Sequence, residues 1–266
     1  MTSPPYEHPG VNKRRAYGLM AATAGVISLP LVIVALIVGF VAGSPVVFAV
    51  AGLVVGSGVA AAVVLGAWRH AEARTLDLIA ARPADPVTHA RLYNVVDGLC
   101  TAAGLPRPRL FTLAQDAPNA FTLGRDPRHG CLVVTEGLLS KLNRIELEGV
   151  VAHELSHLRA ADTLPPTLAL ALCGRRAAGS LAATATRLVL AVSDPHREEI
   201  ADVAGVSLTR YPPGLIAALE RLQADGSSIS GVPKATAPLW LGPLDPAHEE
   251  GGGQRVDARI GALREL

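Results

Sequence analysis

Charge is scarce in this chain. Asp, Glu, Lys and Arg make up 18% of its 266 residues, and 24 basic against 23 acidic side chains leave a formal net charge of +1. A balance so even, with no basic cluster interleaved with aromatics, argues against a protein that holds nucleic acid electrostatically. The three cysteines, Cys100, Cys131 and Cys173, are odd in number and show no C-x-x-C spacing. They read as reduced thiols of a cytoplasmic domain, neither a disulfide framework nor zinc ligands. The most telling absence is local: residues 16 to 68 contain no charged side chain at all. A bilayer crossing takes roughly 20 apolar residues, so this run holds two spans, with Gly43-Ser44-Pro45 as the turn between them. It is too long for a cleaved signal peptide, and it has no polar face to offer as a buried hairpin of a soluble protein. Lys13, Arg14 and Arg15 precede the first span and Arg69 and Arg74 follow the second, which puts both ends on the cytoplasmic side. The chain is thus expected to be a multi-pass protein of the cell membrane with the lipid bilayer as a partner. Residues 1–15 read as a mobile tail, 16–68 as a transmembrane hairpin and 69–266 as a cytoplasmic domain.

What is present is concentrated in five residues, His153-Glu154-Leu155-Ser156-His157. This is the H-E-x-x-H pattern of a zinc hydrolase. On a helix the two imidazoles, four residues apart, point to one side and can share a tetrahedral metal, while Glu154, about 100° away, reaches a water on that metal. Asn143 followed three residues later by Glu146 is a capping signature, so a helix is expected from there to about Ala160. Leu147, Val151, Leu155 and Leu158 form its core stripe. Gly149 and Ala160 flank the histidines and allow another element to approach closely. The bland alternative is a histidine pair on a partly exposed helix with no metal.

A catalytic zinc needs a third protein ligand and an open fourth position. A third His six residues after His157 is ruled out, since Thr163 stands there and Ala160 replaces the accompanying Gly. Asp162 lies just past the expected helix end and reads as pointing elsewhere. A downstream helix starting at Asp194-Pro195 supplies Glu198 and Asp202, four residues apart and beside the small residues Ala201 and Gly205. Glu198 reads as the ligand, and Asp202 as an acceptor that fixes a histidine tautomer. Glu199 is the rival ligand, rotated off that face. Without the upstream motif, Glu198 and Asp202 would read as an ordinary solvated charged face.

Residues 118 to 163, PNAFTLGRDPRHGCLVVTEGLLSKLNRIELEGVVAHELSHLRAADT, together with REEIAD at 197 to 202, resemble the HtpX-type membrane metalloproteases, relatives of the CAAX prenyl proteases. QRVDARIGALREL resembles that family's C-terminal helix, without the His-Pro-Pro that usually precedes it. The resemblance implies a zincin-type protease domain holding one Zn2+ per chain, with His153, His157 and Glu198 as ligands and Glu154 as general base. Its partners would be polypeptides, and membrane proteins in particular. It also points to Asn119, Ala120 and Phe121 as a strand bordering the substrate cleft, where a peptide could add to an open edge; a strand simply buried in a sheet is the competing reading.

The domain as a whole reads as α+β and mainly helical. Helices are expected at 71–81 and 87–103, and short strands at Arg109–Leu113, Ala120–Leu123 and Cys131–Thr135 form a small sheet. HtpX-type enzymes carry two further spans between the motif helices, but here that interval is only residues 163 to 193, interrupted by Arg175, Arg176 and Arg187. Its uncharged pieces are too short to cross, so two spans are expected, with 163–193 at the membrane interface or capping the site. If 166–193 were one helix, Arg176 and Arg187 would project to the same side. His196, His248 and Arg255 are candidates for stabilising an oxyanion. A membrane protein that keeps zinc only as a structural clip is the alternative to an enzyme engaged in quality control, but such a site would be closed by four protein ligands.

Overall fold

The computed structural model describes residues 9–246 and 252–266. Two long helices come first, α1 (Pro9–Val41) and α2 (Pro45–Arg69), turning at Ala42 to Ser44. Both are long and apolar enough to cross a membrane. They pack on each other along a stripe of small residues on α2, Gly52, Gly56 and Ala60, which lets the two backbones approach. Their large side chains face outward instead: Phe40 is 74% exposed and Val46 73%. A water-soluble fold would hide that surface, whereas a lipid-facing pair presents it. Residues 9–15, expected in a tail, are the first turns of α1. There Asn12 is buried and donates from Nδ2 to the Ala160 carbonyl at 3.1 Å, and Arg15 pairs with Asp194 at 3.1 Å.

Beyond the hairpin, α3 (Ala71–Ile79) leads through β1 (Arg82–Pro83) to α4 (Ala90–Ala103), which ends at Gly104 in the left-handed conformation. Strands β2 (Arg109–Leu113), β3 (Ala120–Leu123) and β4 (Cys131–Thr135) complete a four-stranded sheet in the order β1-β2-β4-β3. β2 and β4 run parallel, with Arg109 opposite Cys131; β3 runs antiparallel to β4, with Phe121 opposite Val133. A short helix α5 (Glu136–Lys141) then enters α6 (Arg144–Ala160), whose capping box forms as expected: Asn143 Oδ1 accepts from the amides of Ile145 and Glu146, and Glu146 accepts from the Asn143 amide.

α6 is the hub of the domain. It is buried almost all round rather than along one stripe, with even Ser156 inside. Between α6 and the sheet, Leu92, Val96, Leu110, Leu132, Val134, Leu147, Val151 and Leu155 form one core, extended by Leu215 and Leu219 of α10 (Pro212–Asp225) and Ile260 of α11 (Gly252–Leu263). The opposite face of the sheet, through Phe121, Leu123 and Val133, packs on α7 (Leu164–Cys173), α8 (Ala182–Val192) and Trp240. The interval 163–193 is therefore a broken hairpin and not one continuous helix. Gly174, at φ +55, ends α7, and a 3-10 turn carrying Arg175 and Arg176 joins it to α8. The side chains of α7 are mostly buried against the bases of α1, α2 and α3.

Candidate metal centre and active site

The candidate metal ligands come from α6 and from α9 (Arg197–Thr209), which cross in close contact. The closeness is built in by glycine. A Cβ on Gly205 of α9 would sit 2.7 Å from the His153 amide nitrogen, and one on Gly149 would sit 2.6 Å from that of Leu215 in α10. α6 is thus gripped from two sides by backbone rather than by side chains. α9 starts two residues later than expected: Asp194 caps a preceding turn by accepting from the His196 amide.

His153, His157 and Glu198 converge. The two Nε2 atoms lie 3.2 Å apart, and the carboxylate of Glu198 approaches them with one oxygen each, at 3.4 Å from His153 and 3.7 Å from His157. A tetrahedral ion with bonds of about 2.05 Å sets its ligand atoms about 3.3 Å apart, so the three donors fit zinc. Charge fits it as well. Glu154, Glu198, Asp162 and Asp202 face Arg197 and Arg259 around this point, and all but Glu198 are at least 90% buried. With both imidazoles neutral, as metal ligands must be, four carboxylates against two guanidiniums leave an excess of two negative charges, which a divalent cation neutralises.

Each ligand has a partner behind it. His157 Nδ1 lies 2.8 Å from Asp162 Oδ2 in a hydrogen bond. His153 Nδ1 lies 2.8 Å from Asp202 Oδ1, within ion-pair reach though out of line for a linear hydrogen bond. Asp202 in turn accepts from Nε and Nη2 of Arg259, at 2.7 Å each. Glu198 is bracketed by Arg197 at 3.0 Å and Arg259 at 3.3 Å. Burial opposes a charge on His153, but the carboxylates of Asp202 and Glu198 overcome it and lift its pKa to about 9. For Glu198 burial again opposes ionisation; the His153 contact and the two guanidiniums prevail and drive its pKa far below the usual carboxylate range. Burial pushes the Glu154 carboxyl up, against the pull of both imidazoles.

Sequence reasoning dismissed Asp162 because it lies past the helix end. Ala161 adopts the left-handed conformation there, which swings the chain back and brings Asp162 under His157. Arg197, Arg259 and Thr122 were not singled out: Arg259 reaches back 57 residues to Asp202, Thr122 lies against Glu154 from another element, and Arg197 touches Asp162 as well as its neighbour Glu198, contacts that leave no periodic trace. Glu199 is exposed and pairs with His196, off the metal face. Of the oxyanion candidates, Arg255 lines a cavity beside Glu198, His196 is exposed, and His248 lies outside the described residues.

The expected open edge at Asn119, Ala120 and Phe121 is not open, which corrects that expectation. The Leu241 amide donates to the Ala120 carbonyl at 2.9 Å, and Trp240 bridges to Phe121 with the rings 4.5 Å apart. The Asn119 side chain exchanges two hydrogen bonds with the backbone of Gly242. β3 is therefore buried under the chain's own segment. Beyond that segment lies the cavity of about 140 Å³, lined by Glu198, Glu199, Trp240, Leu241, Arg255 and Arg259.

Two imidazoles and a carboxylate around one point, with a further carboxylate on the same helix, have the form of a metallopeptidase centre. Comparison with known proteins agrees. The model of Peptidase family M48 matches residues 86–224, and the chain belongs to that family. Similar proteins include the "Protease HtpX homolog" of Acaryochloris marina, 36% identical over 71% of this chain and 75% of that protein. That of Acidiphilium cryptum is 37% identical over 66% and 73%. That of Dictyoglomus thermophilum is 36% identical over 56% of this chain, and the match spans only 59% of that relative's length.

Proposed function

We propose that this chain is an integral membrane zinc endopeptidase that hydrolyses peptide bonds of misfolded or surplus membrane proteins on the cytoplasmic side. The observation that carries this reading is the triangle of donors from His153, His157 and Glu198, spaced for zinc, with Glu154 beside it and not part of it. Bound there, zinc would polarise the scissile carbonyl and acidify a water. The rest is done by the chain. Asp162 and Asp202 hold the imidazoles in orientation, and Arg197 and Arg259 keep Glu198 anionic. Glu154, whose carboxyl is pushed up by burial, takes the proton of the attacking water and passes it to the leaving amine. The cavity along Trp240, Leu241 and Arg255 receives the peptide. The relatives it resembles, named as homologues of the protease HtpX, support the same reading. A purely structural zinc clip would be closed by four protein ligands, and among the described residues three converge.

The test uses the full chain purified in detergent, stripped with chelator and incubated with an unfolded protein before and after zinc is added. Cleavage should appear only with zinc. Glu154→Gln should abolish it while zinc content stays near one per chain. Zinc-independent cleavage, or an active Glu154→Gln variant, refutes the assignment.

A further inference from the structure

The Thr122 hydroxyl, at the edge of the sheet, donates to Glu154 Oε2 at 2.7 Å, and both side chains are buried, Thr122 at 0% and Glu154 at 1% exposure. The other carboxylate oxygen, Oε1, is equally buried and has no protein partner. We propose that Thr122 is a positioning residue: it pins one oxygen of Glu154 so that the other is presented to the reacting water in a single orientation. The proposal rests on the reading of Glu154 as general base.

The arrangement is not simply a buried hydroxyl finding the nearest acceptor. Several hydroxyls on the helices here bond their own helix four residues back, as Ser156 does to Ala152 and Thr75 to Ala71. Thr122 lies on a strand whose carbonyls are shared with β4 and with the Trp240 segment, and its side chain crosses to another element. The carboxylate needs such a partner. The terminal torsion of Glu is broad and nearly two-fold, so a glutamate without a fixed neighbour samples many orientations and exchanges its two oxygens. Every other charged side chain of the centre is fixed by an ion pair, whereas Glu154 is fixed by this hydroxyl. β3 thereby acquires a function in the chemistry that does not require a free edge.

Thr122→Val keeps the shape and removes the donor, Thr122→Ser restores the donor, and Thr122→Ala is a second deletion should Val pack badly. With a peptide substrate, kcat of the Val and Ala variants should fall roughly tenfold to hundredfold, as for loss of a hydrogen bond to a charged group. KM and zinc content should hold, and the Ser variant should recover most of the loss. A second measurement needs no turnover. A peptide hydroxamate binds zinc and also hydrogen-bonds the base carboxylate, whereas a peptide thiol binds zinc alone. The hydroxamate Kd should rise roughly tenfold in the Val variant with the thiol Kd unchanged. Unchanged kcat and hydroxamate affinity overturn the proposal, and so does equal weakening of both inhibitors or loss of zinc, which would make Thr122 a packing residue. If the wild-type protein cleaves nothing yet the two inhibitors still separate, the endopeptidase reading fails and the placement of Glu154 by Thr122 stands.

Discussion

Replacing Gly205 with alanine tests whether the metal site is set by helix packing. The added Cβ would lie 2.7 Å from the His153 nitrogen, 2.8 Å from its Cα and 3.1 Å from the Ala152 carbonyl carbon, all backbone atoms that cannot swing aside. Ordinary contact begins at 3.4 Å, so α9 must move off α6 by about 0.7 Å. Glu198 lies seven residues earlier on the same face, two turns or about 10.5 Å along the axis, and moves with the helix. Metal–ligand distances tolerate about 0.2 Å, so the third ligand is held off its best geometry while the two histidines stay. Zinc affinity should fall roughly 10- to 100-fold, comparable to losing the partner of a ligand. The fold, weakened by about 1–3 kcal/mol of overpacking, should persist. The assay is competition for zinc against a chelator of known affinity, with circular dichroism to follow folding. Gly98→Ala is the control, because a Cβ there meets nothing within 4 Å on the exposed side of α4. If Gly205→Ala keeps wild-type zinc affinity, the spacing of α6 and α9 does not set the ligand geometry.

Glu198→Ala should weaken zinc retention far more than Glu199→Ala, since only Glu198 approaches the imidazoles; the reverse order in metal analysis would transfer the ligand role. Asp162→Asn keeps the shape but removes the charge behind His157, and zinc affinity should drop roughly 10- to 100-fold with the fold intact; no change would reduce Asp162 to a helix-end residue. In a background lacking the native thiols, a single cysteine at Ser180, in the exposed turn between α7 and α8, should label from the same side of sealed vesicles as one at Ser140. Labelling from the opposite side would show that the 163–193 hairpin crosses the bilayer.

Much of the local structure was legible. Arg109–Leu113, Ala120–Leu123 and Cys131–Thr135 are strands over the expected ranges, because β-rich runs bounded by Gly, Pro and Asp carry their own punctuation. The Asn143–Glu146 box formed as read, since capping is a contact between neighbours in sequence. His153 and His157 share a face because i, i+4 spacing on a helix is a local rule, whereas Glu198, 41 residues beyond the second histidine, reaches them through the packing of α9 on α6, which the small residue Gly205 signals. The periodicity of α6 was misleading: a helix gripped by two glycines and a sheet has no polar side. The Trp240 segment was invisible for a different reason. Its pairing with β3 joins residues about 120 apart, and no composition cue marks either partner. The same holds for Arg259, which reaches 57 residues back to Asp202.

The ties made by Asn12 and Arg15 have a consequence for anyone wishing to study this protein without its lipid. Asn12 satisfies a carbonyl at the last residue of the histidine-bearing helix, and Arg15 grips the turn from which the glutamate-bearing helix departs. A version begun after residue 69 is therefore not the same domain with two helices cut away. It has lost a brace that touches both halves of the metal cradle, and the buried acceptor at Ala160 is left to find water. Detergent or nanodisc preparations of the whole chain preserve that brace, and truncation for solubility removes it.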